Sequence, residues 1–182
     1  MILFFGPAGS GKSVQGQMLA ARHEWRWVSA GQLLRDTHDI EILKVINNGD
    51  LVDSARMNTI VGEALSRAQD VNHLILDGYP RQFDQARWLI DSMPNHQRAI
   101  SLAIVLEVPR EELEKRLAVR GRPDDVPESI EKRLQLYRKE IYPILTYLTD
   151  ENVPIAHIDG MGTIGQVHDR IEAEIGAVLG DS

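Results

Sequence analysis

Gly6-Pro7-Ala8-Gly9-Ser10-Gly11-Lys12-Ser13 is the stretch on which the fold turns. It satisfies G-x-x-x-x-G-K-[ST] at every fixed position. The flanks are those the pattern demands, the apolar run Ile2–Phe5 before it and helix-forming sequence after it. Glycines let the backbone curl until successive N–H groups point at phosphate oxygens, and the following helix adds the partial positive charge of its N-terminus. In such a loop Lys12 reaches the β- and γ-phosphates and the Ser13 hydroxyl approaches Mg²⁺. Alone, the loop says only that a nucleoside triphosphate binds.

Beyond the loop, short apolar runs alternate with longer helical stretches. Ile2–Phe5, Trp27–Ser29, His73–Leu76, Leu102–Val108 and Pro154–Ile158 read as buried parallel strands. Helices are predicted over Lys12–Arg22, Gly31–Arg35, Ile40–Asn48, Ser54–Ala68, Phe83–Ser92, Arg110–Arg120, Pro127–Leu148 and Ile164–Leu179. Asp125-Val126-Pro127-Glu128 reads as a helix start, with Asp125 as cap, Pro127 in the first turn and Glu128 three residues after the cap. The alternation implies α/β architecture, a doubly wound parallel sheet of about five strands flanked by helices. Such sheets bind ligands beyond the carboxyl ends of their strands.

The chain has 182 residues, 43% hydrophobic and 26% charged, with net charge −7, which suits one soluble domain and excludes a surface that tracks nucleic acid throughout. There is no cysteine, hence no disulfide and no Cys-ligated zinc. No basic leader precedes the apolar start, and no apolar run nears the ~20 residues that span a bilayer. A cytoplasmic monomer is the expectation, with small molecules rather than nucleic acid or membrane as partners. The six histidines lack ligand spacing and read as surface or satisfied core residues. Trp25, Trp27, Tyr137, Tyr142 and Tyr147 read as packing.

His73-Leu74-Ile75-Leu76-Asp77 is an apolar strand ending in a carboxylate, the usual form of the residue that holds Mg²⁺ beside a phosphate loop. Asp77-Gly78-Tyr79-Pro80-Arg81 follows, and resembles the D-G-[FY]-P-R signature of adenylate kinases and their UMP/CMP kinase relatives. Ser29-Ala30-Gly31-Gln32-Leu33-Leu34-Arg35 and Gly49-Asp50-Leu51-Val52 resemble the two segments that frame the monophosphate-binding region of that family. Arg116, Arg120, Arg122, Asp124, Asp125 and Arg133 resemble its arginine-rich ATP lid and the flanks of that lid. There Asp124 and Asp125 would bind or position the lid arginines, a role that stands open beside capping for Asp125. The resemblance spans essentially the whole chain. It implies one domain over 1–182: a core of 1–29, 58–118 and 128–182, a helical monophosphate-binding insert at 30–57 and a stub lid at 119–127.

By that resemblance Lys12, Arg81, Arg120, Arg122 and Arg133 are the catalytic residues, stabilising a transferring phosphoryl group. Gly6, Pro7, Ala8, Gly9, Ser10, Gly11, Lys12, Ser13, Val14, Arg116 and Arg120 would hold ATP, with Arg116 on the adenine. Ala30, Gly31, Arg35, Leu51, Val52, Met57, Gly78, Arg81, Gln85, Arg122 and Arg133 would hold AMP. Ser13 and Asp77 would orient Mg²⁺, in part through water. Arginine suits these tasks because it stays charged and presents a planar fork to phosphate. Arg22, Arg26, Arg56, Arg67, Arg87, Arg98, Arg110, Arg138 and Arg170 match no motif and read as surface.

The chain departs from the family pattern in three places. Ser13-Val14 stands where Gly-Thr is usual, Gln32 replaces an acidic residue, and the lid holds only Gly121-Arg122-Pro123 between Arg120 and Asp124. Two cues conflict on the acceptor base. Ala30 is a feature of UMP/CMP kinases, whereas Gln85, four residues after Arg81, stands where adenylate kinases read the adenine edge with an amide that donates and accepts. Gln85 makes the base contact and carries more weight, so AMP is the expected acceptor and a UMP/CMP kinase the alternative. A nucleotide-binding regulator without turnover is the reading from another class.

Overall fold

The computed structural model describes residues 1–180, and among them eight α-helices enclose one five-stranded sheet. In chain order the elements are β1 (Ile2–Phe5), α1 (Lys12–His23), β2 (Arg26–Ser29), α2 (Ala30–Asp36), α3 (Ile40–Asn47), α4 (Ser54–Ser66), β3 (Leu74–Asp77), α5 (Phe83–Ser92), β4 (Leu102–Glu107), α6 (Arg110–Arg120), α7 (Pro127–Asp150), β5 (Ile155–Asp159) and α8 (Ile164–Leu179). A 3₁₀ turn, Met93–His96, follows α5.

All strand pairs are parallel, in the order β2-β3-β1-β4-β5. Alternation along the strands explains why both faces are apolar. Leu3, Phe5, Leu74, Leu76, Ala103 and Val105 point to one side, where they meet Leu34, Ile42, Val61, Leu65, Leu89, Ile144 and Leu148 of α2–α5 and α7. Ile2, Phe4, Ile75, Leu102, Ile104 and Leu106 point to the other, against Leu19 of α1 and Val167, Ile171 and Ile175 of α8.

The neighbours β1 and β3 send the chain in opposite directions along the sheet, β1 onward to β2 and β3 onward to β4. Their carboxyl ends therefore open a crevice, the usual ligand position in this architecture. Register puts Asp77 beside Phe4 on one side and Ser29 on the other, directly under that crevice.

The strand predicted at His73–Leu76 is shifted by one residue, because the ladder takes in Asp77 and leaves His73 exposed. Of the two roles open to Asp125, capping α7 or holding lid arginines, the second is found. Val126 holds the N-cap position without a side-chain bond, since the Asp125 carboxylate is turned to arginines instead. Tyr142, expected in packing, is 79% exposed. Arg98, expected at the surface, is half-buried and donates to the carbonyls of Ala68, Val71 and Asn72, closing the chain after α4. No described helix is long and apolar enough to cross a membrane.

Candidate nucleotide site

The phosphate loop joins β1 to α1, with Gly11 at the N-cap of α1 in the left-handed region (φ 99°). Gly9 is the tightest position: at φ +85°, an added Cβ would sit 3.0 Å from Leu117 Cγ and 3.2 Å from the Leu113 carbonyl oxygen of α6. Only glycine lets the loop lie this close to α6. Lys12 Nζ folds back over the loop and donates to the carbonyls of Gly6 (2.7 Å) and Pro7 (2.9 Å), with Ser10 Oγ at 3.4 Å. Burial pulls the Lys12 ammonium down to about 8, and the charges of Arg81, Arg133 and Arg120 add to this while Asp77 opposes it.

Beneath the loop, the Ser13 hydroxyl donates to Asp77 Oδ2 at 2.6 Å, and Asp77 is 2% exposed. This hard-oxygen pair suits Mg²⁺, which keeps waters and substrate phosphates and asks the protein for only one or two carboxylates. Among the described residues no group of three or more His, Asp or Glu side chains is placed to hold a metal by itself. An ion here would share its coordination with a bound nucleotide.

Arginines from four elements or their flanks surround the crevice. Arg81, just after Pro80, donates Nε–H to the Gly78 carbonyl at 2.7 Å. A Cβ added to Gly31 would lie 3.5 Å from Arg35 Nη1 and 3.8 Å from Arg81 Nη2, so these two guanidiniums converge over the start of α2. Both hold their protons less tightly than usual, first through burial and then through neighbouring arginines: Arg133 and Arg35 beside Arg81, Arg122 and Arg120 beside Arg35. Such crowding of like charge invites an anion.

On the opposite side Arg120 grips Asp125 with two bonds, Nε–H to Oδ2 at 2.8 Å and Nη2–H to Oδ1 at 2.5 Å. Arg133 Nη1 lies 2.7 Å from Asp124 Oδ2 and 3.4 Å from Asp125 Oδ1, and the Arg122 backbone N–H donates to Asp125 at 3.0 Å. Burial raises the Asp125 carboxyl, but the hydrogen bonds from Arg120 and Arg122 and the charges of Arg120 and Arg133 outweigh it and hold the group below its ordinary range. The two lid carboxylates thus set the arginines from within the stub.

All these groups border one cavity of about 620 Å³. Every phosphate-loop residue from Gly6 to Val14 lines it, as do Gly31, Arg35, Leu51, Asp77, Gly78, Arg81, Arg116, Arg120, Arg122 and Arg133. Four predicted site residues do not. Ala30 (1% exposed), Val52 (8%) and Met57 (4%) face the apolar core. Gln85 is 2% exposed, its Oε1 accepting from the Arg81 N–H at 2.8 Å and its Nε2 donating to Gln82 Oε1 at 3.0 Å.

The structure adds wall residues that motif reading passed over. Gly160, Gly162, Thr163 and Ile164 line the cavity after β5, beside Arg116, whose Nη2 donates to the Gly160 carbonyl at 3.1 Å. Their signal was a glycine-rich turn at the carboxyl end of a strand. Tyr137 and Glu140 of α7 also line it and had no local signal.

A phosphate loop at a topological switch point, a strand-ending carboxylate under it and arginines facing it from both sides define a P-loop nucleoside monophosphate kinase. Comparison with known proteins is in accord. The family model described as adenylate kinase matches residues 4–153. A protein named adenylate kinase from Prochlorococcus marinus subsp. pastoris is 36% identical over 155 residues, covering 82% of this chain and 83% of that one. Proteins of the same name from Mycolicibacterium paratuberculosis (32%) and Mycobacterium tuberculosis (33%) match over 181 residues, 96% of this chain and 98% of theirs. The chain belongs to the adenylate kinase family.

Proposed function

We propose that this protein transfers the terminal phosphoryl group of ATP reversibly to AMP, giving two ADP, by direct in-line displacement. The observation that supports it is the convergence on one cavity of Lys12 and the guanidiniums of Arg35, Arg81, Arg120, Arg122 and Arg133. ATP phosphates would rest on the loop and Lys12, with the nucleoside along Arg116 and the Gly160–Ile164 wall. The AMP phosphate would lie over Gly31 between Arg35 and Arg81. Transfer between them spreads charge over equatorial oxygens, and fixed cations stabilise that charge without solvent reorganisation. The acceptor is already a phosphate oxygen, so no general base is required.

Arg120 and Arg133 keep unused N–H donors beside those given to Asp125 and Asp124, so each can take a phosphate oxygen without releasing its carboxylate. Mg²⁺, held by Asp77 and Ser13 through the nucleotide and water, would neutralise phosphate charge. Segments 30–57 and 119–127 are the parts that would close on the substrates. The comparisons do not favour the UMP/CMP alternative. Since neither Ala30 nor Gln85, the two conflicting cues to the base, lines the cavity, the choice of AMP rests on the family. The deciding experiment is ATP·Mg²⁺ turnover with AMP, CMP, UMP or GMP. AMP should be preferred and Arg81→Ala should abolish the transfer. Equal use of a pyrimidine acceptor, or no transfer at all, would overturn the assignment.

A further inference from the structure

A buried polar chain between α1 and α8 has no part in the transfer chemistry. Gln15 is 3% exposed and stands three residues after Lys12 on α1. Its Nε2 donates to the Ile164 carbonyl at 2.9 Å, tying α1 to the first residue of α8. That bond settles the orientation of the amide, so Oε1 faces His168 Nδ1 at 3.2 Å. An amide oxygen only accepts, so Nδ1 must carry the proton. The other ring nitrogen lies 3.3 Å from Glu172 Oε1. That carboxylate also meets His23 Nε2 at 2.8 Å and Arg22 Nε at 3.5 Å. His168 itself is 4% exposed.

This chain bears on the site through Ile164. The loop from Gly160 to Thr163 lines the cavity and is held at one end by Arg116 on the Gly160 carbonyl. Gln15 holds the other end. It therefore sets the spacing between the phosphate cradle, which begins the same helix, and the wall along the opposite flank. Without the Nδ1–H donor, Gln15 Oε1 would be a buried acceptor with no partner, and the amide would be free to turn away from Ile164.

We propose that His168 is a positioning residue for the donor nucleotide, acting through Gln15 on the Gly160–Ile164 wall. The proposal rests on the reading that this end of the cavity takes ATP. Its effect falls on ATP and spares AMP, because Arg35, Arg81 and the segment around Gly31 touch none of these residues.

The test uses the full chain with His168→Leu and His168→Asn, measuring Kd by calorimetry for ATP·Mg²⁺ and for AMP, with KM and kcat alongside. His168→Leu should raise Kd and KM for ATP about fivefold, the effect of roughly one lost buried hydrogen bond. AMP values should stay within about twofold, since that site is not touched. His168→Asn, whose amide N–H can stand where Nδ1–H stands, should restore ATP binding. Unchanged ATP binding in the Leu variant, a parallel loss for AMP, or an Asn variant as weak as Leu would each overturn the proposal. If His168→Leu does not fold, Gln15→Met removes the bonds to His168 and to the Ile164 carbonyl at similar volume and is read by the same split. Absence of phosphoryl transfer by the wild-type protein would sink the substrate assignment instead, and the split in Kd reads the positioning role independently of it.

Discussion

Raising the pH from 7 to 9 should weaken ATP binding through one group, the Lys12 ammonium. In the free protein its proton affinity falls from an ordinary 10.5 to about 8, through burial first and then through Arg81, Arg133 and Arg120, with Asp77 in opposition. A bound triphosphate places negative charge against Nζ and restores the proton. The free protein is then about half deprotonated at pH 8, roughly nine-tenths at pH 9 and only ~3% at pH 6.5. ATP binding should accordingly take up about half a proton at pH 8 and almost none at pH 6.5, and affinity should fall about tenfold between pH 7 and 9. Calorimetry with ATP·Mg²⁺ in two buffers of different ionisation heat counts the protons directly. Uptake near zero at pH 8.5, or an affinity flat across this range, would refute the reasoning. The same shift has a consequence for folding with a definite sign. Between about pH 8 and 10.5 the unfolded chain holds the Lys12 proton that the folded chain has lost, so this group's contribution to stability rises with pH across that window. The upper limit is about 3 kcal/mol at 1.36 kcal/mol per unit.

Three further outcomes are expected. Arg120→Ala should lower kcat by about 10²–10³ while leaving AMP binding nearly intact, because a fixed cation at the developing charge is lost; steady-state kinetics decide it, and a change in KM alone would contradict the assigned role. The stub lid should exclude water poorly, so ATP without acceptor should release phosphate measurably, and release no faster than background would end that idea. Gly49 sits at φ +77° with its Cα face against α7, where an added Cβ would lie 2.8 Å from the carbonyl and hydroxyl oxygens of Ser129. Gly49→Ala should therefore cost about 1–2 kcal/mol from backbone strain alone, with the clash adding to it; a urea midpoint equal to wild type would count against the observed docking of this segment on α7.

Much of the architecture was legible in local pattern. Runs such as Ile2–Phe5 and Leu102–Leu106 are apolar at every position because both faces of a central parallel strand are covered. The phosphate loop needs glycine at fixed intervals whatever surrounds it, so its role is written in eight consecutive residues. The arginines of the crevice were found through motifs, and Arg35, Arg81, Arg116, Arg120, Arg122 and Arg133 all reach the cavity. Gln85 shows what motif position leaves open: it suggested a base contact, and the fold holds its amide on Arg81 and Gln82. Asp125 is a second case. Its spacing before Pro127 fits a helix cap, but the pull of Arg120 and Arg133 is stronger than that of a free helix N–H.

By itself, then, the sequence determined the strand–loop–helix start and the parallel sheet, because each depends on contacts within a few residues or on a simple period, while the kinase class followed from the resemblance of its motifs to a known family. Tertiary structure alone decided which motif residues face the cavity, that Asp124 and Asp125 hold the lid arginines, and that Gln15 reaches Ile164 through an amide oriented by His168. Gln15 and His168 are 153 positions apart. Their pairing follows from α1 and α8 sharing one face of the sheet, and no local pattern in either helix encodes it.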